Sequence, residues 1–441
     1  MTGPKKPHDL PGSIQERFEA LANKEHGQEQ WSAVQEVCHR LKQEGFQALL
    51  AGGCVRDLLL GREPNDFDVA TDATPDQVHA IYPHALTVGK AFGVTILPYS
   101  CFQIEVATFR VDLDYHDGRR PSGVRFTGPE EDAKRRDFTV NALFYDPEEK
   151  RLLDFVGGEN DLKLRLIHTV GRPEERFEED KLRLLRAVRF AAQLDFEIAP
   201  DTLQAVERLA PKVSVVSRER IRDEFLKLLK TDKRRRGLSL AISTGLIAAI
   251  FPDLHLAIAT EQERWLNRFE LLNSSLNMST VGLACFFLPV YQFGKEHELR
   301  HEYLKPLKLD NKQIDSILFS LRHYRDLLEP AKVREGELIL LLAHPAAGAA
   351  RELATILEKE SVGGPGHPGR EQFLSELSRR ALVADGTKPQ PFVNGEDVKA
   401  LGIKPGAELG QLLNEAYLLQ LEEKLRDRQA ALTWLKANVK V

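Results

Sequence analysis

The stretch Gly52-Gly53-Cys54-Val55-Arg56-Asp57-Leu58-Leu59-Leu60-Gly61, followed four residues later by Asp66-Phe67-Asp68, decides how the first third of this 441-residue chain folds. Just upstream, Phe46–Ala51 is a short apolar run with the pattern of a buried strand. Gly52-Gly53 turns that strand into a short helix, Cys54–Leu60, closed by Gly61, and Asp66–Thr71 reads as a second strand. A strand–Gly-Gly–helix turn leaves backbone N–H groups free at a helix N-terminus, where a phosphate is favoured. Glycine there lets a ligand come close. A simple tight turn is the alternative. In a strand, residues two apart share a face, so Asp66 and Asp68 point the same way and Phe67 enters the core. Adjacent carboxylates repel unless a cation lies between them. Mg²⁺, which prefers carboxylate oxygens and keeps open positions for phosphate, fits that need. A solvated pair of aspartates at a strand end is the plainer reading. In Phe102-Gln103-Ile104-Glu105-Val106 the apolar residues alternate, which puts Glu105 on the polar face as a third candidate ligand, or as a solvated strand glutamate.

Outward from this stretch, Trp31, Val34, Cys38 and Leu41 recur at helical spacing up to Gly45. Thr74-Pro75-Asp76-Gln77 has the cap, first-turn proline and capping-box glutamine of a helix start. Val94–Tyr99 and Phe102–Arg110 read as further strands, and Asp112–Pro121 as a polar, mobile loop. From about residue 172 strand signals give way to helical periodicity, as in Lys181–Leu194, Arg218–Leu229, Ile314–Leu328 and Gly336–His344. A Gly/Pro cluster over 363–369 reads as a flexible break, with helix again from Glu371 onward. The expectation is an α+β chain. It has a disordered tail and leading segment (1–28), a head with a small mixed sheet (29–165), and a helical neck (166–240), body (241–330) and tail (331–441).

With 42% hydrophobic and 29% charged residues the chain is neither disordered nor fibrous. Its longest apolar run, Leu283–Tyr291, is about half of the roughly 20 residues a membrane span needs. The amino terminus, MTGPKKPHDLPG, has no apolar core for a signal peptide, so a cytoplasmic protein without a membrane partner is expected. Cys38, Cys54, Cys101 and Cys285 have neither CxxC spacing nor a disulfide framework and read as buried reduced thiols. The balance of 61 Lys+Arg against 66 Asp+Glu, net −5, excludes only an indiscriminately basic surface. Residues 181–190 hold Lys181, Arg183, Arg186 and Arg189 and no acid, and 211–240 hold ten basic against four acidic residues. That is a basic neck suited to phosphate contacts.

Taken together, Gly52-Gly53-x-Val55-Arg56-Asp57 and Asp66-x-Asp68 resemble the signature of the bacterial and eukaryotic-type (class II) tRNA nucleotidyltransferases. That family shares its head with bacterial poly(A) polymerases in the DNA polymerase β-like superfamily. Arg135-Arg136-Asp137-Phe138-Thr139-Val140-Asn141-Ala142 resembles its ribose-contacting motif, and Asp154-Phe155-Val156-Gly157-Gly158 with Asp161-Leu162 its head-to-neck hinge. Glu179-Asp180-x-x-Arg183-Leu184-x-Arg186 resembles the base-reading motif, with Arg189 one turn further along the same helix. Ser217-Arg218-Glu219-Arg220-Ile221 with Glu224 resembles the motif that supports it. The close likeness covers about residues 47–230.

The resemblance implies attack of a tRNA 3′-hydroxyl on the α-phosphate of CTP or ATP, with release of pyrophosphate. It implies a two-metal mechanism with Mg²⁺ on Asp66, Asp68 and Glu105. Gly52, Gly53 and Arg56 would hold the triphosphate, and Arg136, Asp137, Asn141, Asp180, Arg183, Arg186 and Arg189 the rest of the nucleotide. Asp180 and Arg183, three apart on a helix, can converge on one planar partner. An ionised Asp only accepts hydrogen bonds and Arg only donates. Cytosine and adenine each offer an amino donor beside a ring-nitrogen acceptor, so both suit the pair. Uracil and guanine conflict with it twice, at about 1–3 kcal/mol per unpaired buried group. A Glu179–Arg183 helix ion pair is the plainer reading of these residues, as a turn cap is for Asp137 and Asn141. A polar stretch at 114–121 like the family's flexible loop disfavours a CC-only enzyme. An A-only enzyme, a poly(A) polymerase and an inactive tRNA-binding relative remain the alternatives. No His-Asp pair falls in the body, so no phosphohydrolase activity is expected, and no obligate protein partner.

Overall fold

The computed structural model describes residues 16–17, 25–87, 93–115, 121–272, 278–294, 296–362, 368–382, 388–400 and 406–438. The chain divides into two compact units, Met1–Pro252 and Asp253–Val441.

The first unit is built on a seven-stranded mixed sheet. Its strands are β1 (Ala48–Ala51), β2 (Phe67–Thr71), β3 (Leu86–Thr87), β4 (Val94–Pro98), β5 (Gln103–Thr108), β8 (Leu143–Asp146) and β9 (Arg151–Asp154), in the order β3-β4-β5-β2-β1-β8-β9. Every neighbouring pair is antiparallel except β2–β5, which is parallel with Asp68 opposite Glu105 and Phe67 opposite Ile104. β1 is buried throughout, as its unbroken Ala-Leu-Leu-Ala run requires. Helix α1 (Glu25–Gln43) buries Trp31, Val34, Val37, Cys38 and Leu41, while α2 (Gly53–Leu59) follows β1 directly. Helix α3 (Pro75–Ile81) starts with the expected capping box, Thr74 and Gln77 bonding reciprocally.

Several boundaries depart from the sequence reading. The leading segment is not wholly loose, because α1 begins at Glu25. The stretch read as a polar loop is largely a hairpin, β6 (Arg110–Tyr115) against β7 (Pro121–Phe126), with Arg110 opposite Phe126. Residues 116–120 lie outside the described residues. Polar side chains suggested a loop there, but the positions of β6 that turn inward, Arg110 and Asp112, are charged and paired, so no apolar alternation marks the strand. A last strand pair also escaped the periodicity: β10 (Leu166–Ile167) lies parallel to β11 (Glu197–Ile198), each too short for a pattern to register.

Helix α4 (Pro129–Lys134) and the 3₁₀ turn Thr139–Asn141 lead into β8, and α5 (Gly158–Leu164) follows β9. Six helices complete the unit: α6 (Pro173–Glu179), α7 (Leu182–Leu194), α8 (Pro200–Leu209), α9 (Arg218–Leu229), α10 (Arg234–Ser243) and α11 (Leu246–Ile250). Helix α7 is central, with both Arg183 and Arg189 buried among its apolar residues.

The described part of the second unit is helical. Its longest apolar segment, Met278–Gln292, is buried along most of its length; Trp265 packs on Phe286 of that segment and on Phe269, and its indole N–H donates to the Phe286 carbonyl at 3.2 Å. Arg268 and Glu360 form a buried ion pair at 2.7 Å, and a separate apolar cluster joins Val393, Val398, Ala416, Ala431 and Leu435. Among the described residues no helix is long and apolar enough to cross a membrane. The Gly/Pro cluster at 363–369 falls mostly outside the described residues, and Pro368 already begins the helix Pro368–Ala381.

Gly158 ties the sheet to the segment that carries Asp137 and Asn141. A Cβ there would lie 2.2 Å from the Thr139 carbonyl oxygen, and Thr139 Oγ1 donates to Asp161 at 2.6 Å across the same contact. Gly158→Ala therefore has no room to relax without moving backbone and should lower stability by about 1–3 kcal/mol in chemical denaturation. Gly348→Ala, at a helical position with open space around its Cβ, should be neutral or slightly stabilising.

Candidate active site

One cavity of about 740 Å³ in the first unit is lined by Gly52, Gly53, Arg56, Asp66, Asp68, Glu105, Arg136, Asp137, Asn141, Asp180, Arg183, Arg186 and Arg189, which are all thirteen residues singled out from the sequence. The sheet supplies one wall. Asp68 lies on β2 with its neighbours Phe67 and Val69 buried, and Glu105 lies on β5 between buried Ile104 and Val106. Asp66 sits at the bend just before β2. Burial pushes the Asp68 carboxyl up to about 6, helped by the negative charges of Glu105 and Asp66 and opposed by Arg136. Burial also raises Glu105, against Arg110.

Among the described residues no three carboxylate, imidazole or thiol groups converge closely enough to hold a metal as they stand. Asp66, Asp68 and Glu105 thus share a cavity without forming the closed ligand set expected of them. Exposed carboxylates at Asp66 and Glu105 beside the partly buried Asp68, raised in spite of Arg136 and Arg110, nevertheless match what a hard divalent cation needs.

The opposite wall is cationic. Gly52 caps α2 with φ +74°, and its N–H donates to the Leu143 carbonyl at 3.0 Å. A Cβ on Gly52 would come within 2.8 Å of the Arg136 guanidinium, so glycine is required by conformation and space alike. Arg56 is buried, grips the Asp57 carboxylate with two bonds of 2.9 Å and donates to Asn141 Oδ1 at 2.5 Å. Asn141 in turn donates to Asp137, whose other oxygen takes the Arg186 guanidinium at 2.7 Å. Burial alone would raise the Asp137 carboxyl, but Arg186 and Arg183 outweigh it and hold it at about 2. Arg136 is clamped to Asp132 and to the Asn141 carbonyl.

Asp180 and Arg183, the pair expected to read the base, are arranged differently from the helical expectation. Asp180 is outside α7, in extended backbone between α6 and α7, and its Oδ1 accepts from the Leu182 N–H at 3.1 Å. Asp180, just ahead of α7, and Arg183, in its first turn, therefore line the cavity from the start of that helix and do not share one helical face. Arg220 of α9 holds both Asp180 oxygens, at 2.6 and 3.1 Å. Arg183 bonds Glu179 at 2.5 Å and the Arg176 and Arg135 carbonyls. The plainer ion-pair reading of Glu179 and Arg183 is thus realised here.

Arg189 meets Glu224 at 2.5 Å and lies 3.8 Å from the Phe190 ring. Arg220 was noted in sequence only as part of a supporting motif; its pairing depends on the packing of α9 against α7. The basic neck is also less free than its charge count implied. Arg218 and Arg236 donate to backbone carbonyls at Ile250, Ala191 and Phe196.

Residues 48–168 match the family model of the poly A polymerase head domain, and 195–258 that of a probable RNA and SrmB-binding site of polymerase A. The class is therefore that of a nucleotidyltransferase, and such enzymes generally use a divalent metal. A CCA-adding enzyme of Bacillus licheniformis is 39% identical over 325 residues, covering 74% of this chain and 80% of the relative. One of Levilactobacillus brevis is 33% identical over 417 residues, covering 92% and 98%. The crystal structure of the Bacillus stearothermophilus CCA-adding enzyme in complex with CTP superposes with a TM-score of 0.73 at 30% identity, over 92% of this chain and 96% of that one. The chain belongs to the family of CCA-adding enzymes.

The depressed Asp137 carboxyl makes a signed prediction. Its contribution, about 2 kcal/mol for a shift from 3.8 to about 2, is present above pH 4 and lost as pH falls through 2. Asp137→Asn should lower stability at pH 7 by about that amount, and the gap to wild type should close by about pH 2 in urea titrations.

Proposed function

We propose that this chain adds C, C and A in turn to the 3′ end of tRNA, using CTP and ATP as substrates and Mg²⁺ as cofactor, in the cytoplasm. The observation that carries the reading is the single cavity holding the acidic wall, the arginine cradle and the Asp180/Arg183 pair together. Asp66, Asp68 and Glu105 would hold the metal, which when bound acidifies the attacking hydroxyl and stabilises the leaving pyrophosphate. The bond from the 3′-oxygen to the α-phosphorus forms as the bridge to the β-phosphate breaks. Arg56 and the Gly52-Gly53 backbone hold the triphosphate in line for that displacement, most of whose acceleration is positioning and charge stabilisation. Asp137 and Asn141 position the ribose, while Arg136, Arg186 and Arg189 set the field around the nucleotide.

Base reading follows from an exchange of partners. A cytosine or adenine that gives its amino donor to Asp180 and takes a donor from Arg183 replaces the bonds those groups make to Arg220 and Glu179. Uracil and guanine cannot replace either bond. Residues 29–165 serve as the catalytic head and 166–240 as the reading neck, with the body over 241–330 and the tail over 331–441 engaging the RNA. The hairpin β6–β7 takes the place of the family's flexible loop, which favours terminal A addition over a CC-only enzyme.

The test is incorporation of labelled CTP or ATP, with Mg²⁺, on tRNA ending at the discriminator base, at C or at CC. Addition of CC and then a single A is the expected outcome. Action on the CC end alone would mean an A-adding enzyme, a long A tail on unrelated RNA a poly(A) polymerase, and no incorporation an inactive relative. Asp66→Ala should abolish every addition by at least about 10³-fold, whereas Asp180→Ala should retain transfer but admit UTP or GTP. Strict C and A choice in Asp180→Ala would contradict the reading.

A further inference from the structure

We propose that Lys227 receives the terminal phosphate of the incoming nucleotide and so tells a triphosphate from a diphosphate, an inference that rests on the nucleotidyl-transfer reading above. Lys227 lines the same cavity as the thirteen residues singled out from the sequence, although no motif drew attention to it. Its place follows from how two helices lie together. On α9, Arg220, Glu224 and Lys227 are four and three residues apart and share one face. Arg220 holds Asp180, just ahead of α7, while Glu224 meets Arg189 of α7 at 2.5 Å and Arg186 at 3.6 Å. The two helices therefore run side by side in the same direction. One turn beyond Glu224, Lys227 comes level with the end of the cavity wall on α7, where Gln193 accepts from Arg189 at 2.5 Å.

The wall on α7 takes the parts of a nucleotide in the same order. Asp180 and Arg183 stand at its start, where the base is read. Arg186 follows, bonded to Asp137, which positions the ribose. Arg189 comes next and shares the Phe190 ring with Arg56, which holds the triphosphate from α2. At 1.5 Å per residue, Arg183 to Gln193 spans about 15 Å. A nucleotide with its base at Asp180 and its triphosphate at Arg56 thus points its last phosphate toward Gln193 and Lys227. The charge there is also suited to it. Arg56, Arg186 and Arg189 are each matched to an acid, Asp57, Asp137 and Glu224. Lys227, by contrast, meets the already engaged Glu224 at 3.5 Å, and its side chain is 60% exposed. One carboxylate between Arg189 and Lys227 leaves a surplus positive charge at this end of the cavity. An ammonium on a flexible stem is a point charge that suits a phosphate and can follow it as pyrophosphate leaves. A diphosphate in the same pose ends one phosphate short of it.

The test compares nucleotides that differ by one phosphate. In the full chain with Mg²⁺, Lys227→Ala should raise the Kd for CTP and for ATP about tenfold in binding titrations, while the Kd for CDP changes less than about twofold. Lys227→Arg, which keeps the charge, should bring the CTP affinity back to within about threefold of wild type. On tRNA ending in CC, Lys227→Ala should raise KM for ATP by about the same tenfold and leave KM for tRNA within about twofold. An unchanged CTP affinity in Lys227→Ala, an equal loss for CDP, or no recovery in Lys227→Arg would each overturn the assignment. A rise in KM for tRNA without one for ATP would overturn it too, and would place the lysine against the RNA backbone. A wild-type protein that extends no RNA would overturn the underlying reading instead, so the two failures are distinct.

Discussion

The first unit is organised around an electrostatic constraint at Phe190. Three guanidinium groups, those of Arg56, Arg186 and Arg189, lie 5.4, 5.2 and 3.8 Å from its ring centroid. Like charges so placed repel strongly where water is scarce, and the ring's π-face offsets only part of that. Three acids complete the balance: Asp57 on Arg56, Asp137 on Arg186 and Glu224 on Arg189. Asn141 links the first two of these pairs. The acids come from α2, from the segment before the 3₁₀ turn and from α9. Charge balance alone therefore dictates where three separate parts of the chain must meet. Breaking one pair leaves a buried, uncompensated charge, which is far more costly than the pair's net worth.

This network leaves the neighbouring acidic wall only partly compensated. Arg136 opposes the rise of Asp68 and Arg110 that of Glu105, but each is itself held by an acid, Asp132 and Asp112. The cavity is thus polarised, with arginines balanced by fixed acids on one side and carboxylates short of positive charge on the other. A metal–triphosphate complex carries the complementary distribution, a cation at one end and an anionic chain at the other. On the proposed function, binding of that end of the substrate would require little rearrangement of charge, the exchange of partners being confined to Asp180 and Arg183.

What could be read from the sequence followed the range of each signal. Alternation over Gln103–Val106 placed Glu105 on the polar face because a strand has period two. The Thr74–Gln77 capping box was visible for the same local reason. The parallel β2–β5 register, which sets Glu105 beside Asp68, is a non-local fact that no window of residues contains. Asp180 looked helical because Glu179, Arg183 and Arg186 fall at helical spacing, yet the chain breaks there and Asp180 starts α7 as an acceptor. Spacing alone does not distinguish one helix from two abutting ones. The count of basic residues in the neck was correct, but Arg218, Arg220 and Arg236 are committed to partners distant in sequence. Polar composition hid the β6–β7 ribbon, since its inward positions Arg110 and Asp112 are charged and reveal no apolar face.

The single parallel pairing in the sheet separates two kinds of sequence change. Parallel neighbours need a long crossover, and here that crossover contains α3 and the strands β3 and β4. Asp68 and Glu105 are side by side through hydrogen-bond register and not through proximity in the chain. Substitutions along β5 alter one side chain at a time. Loss of one residue within Gln103–Thr108 would instead rotate the whole alternation, turning Ile104 or Val106 outward and the carboxylate toward the core. The strand is therefore permissive in composition and strict in length, a grammar in which letters can be replaced but not dropped.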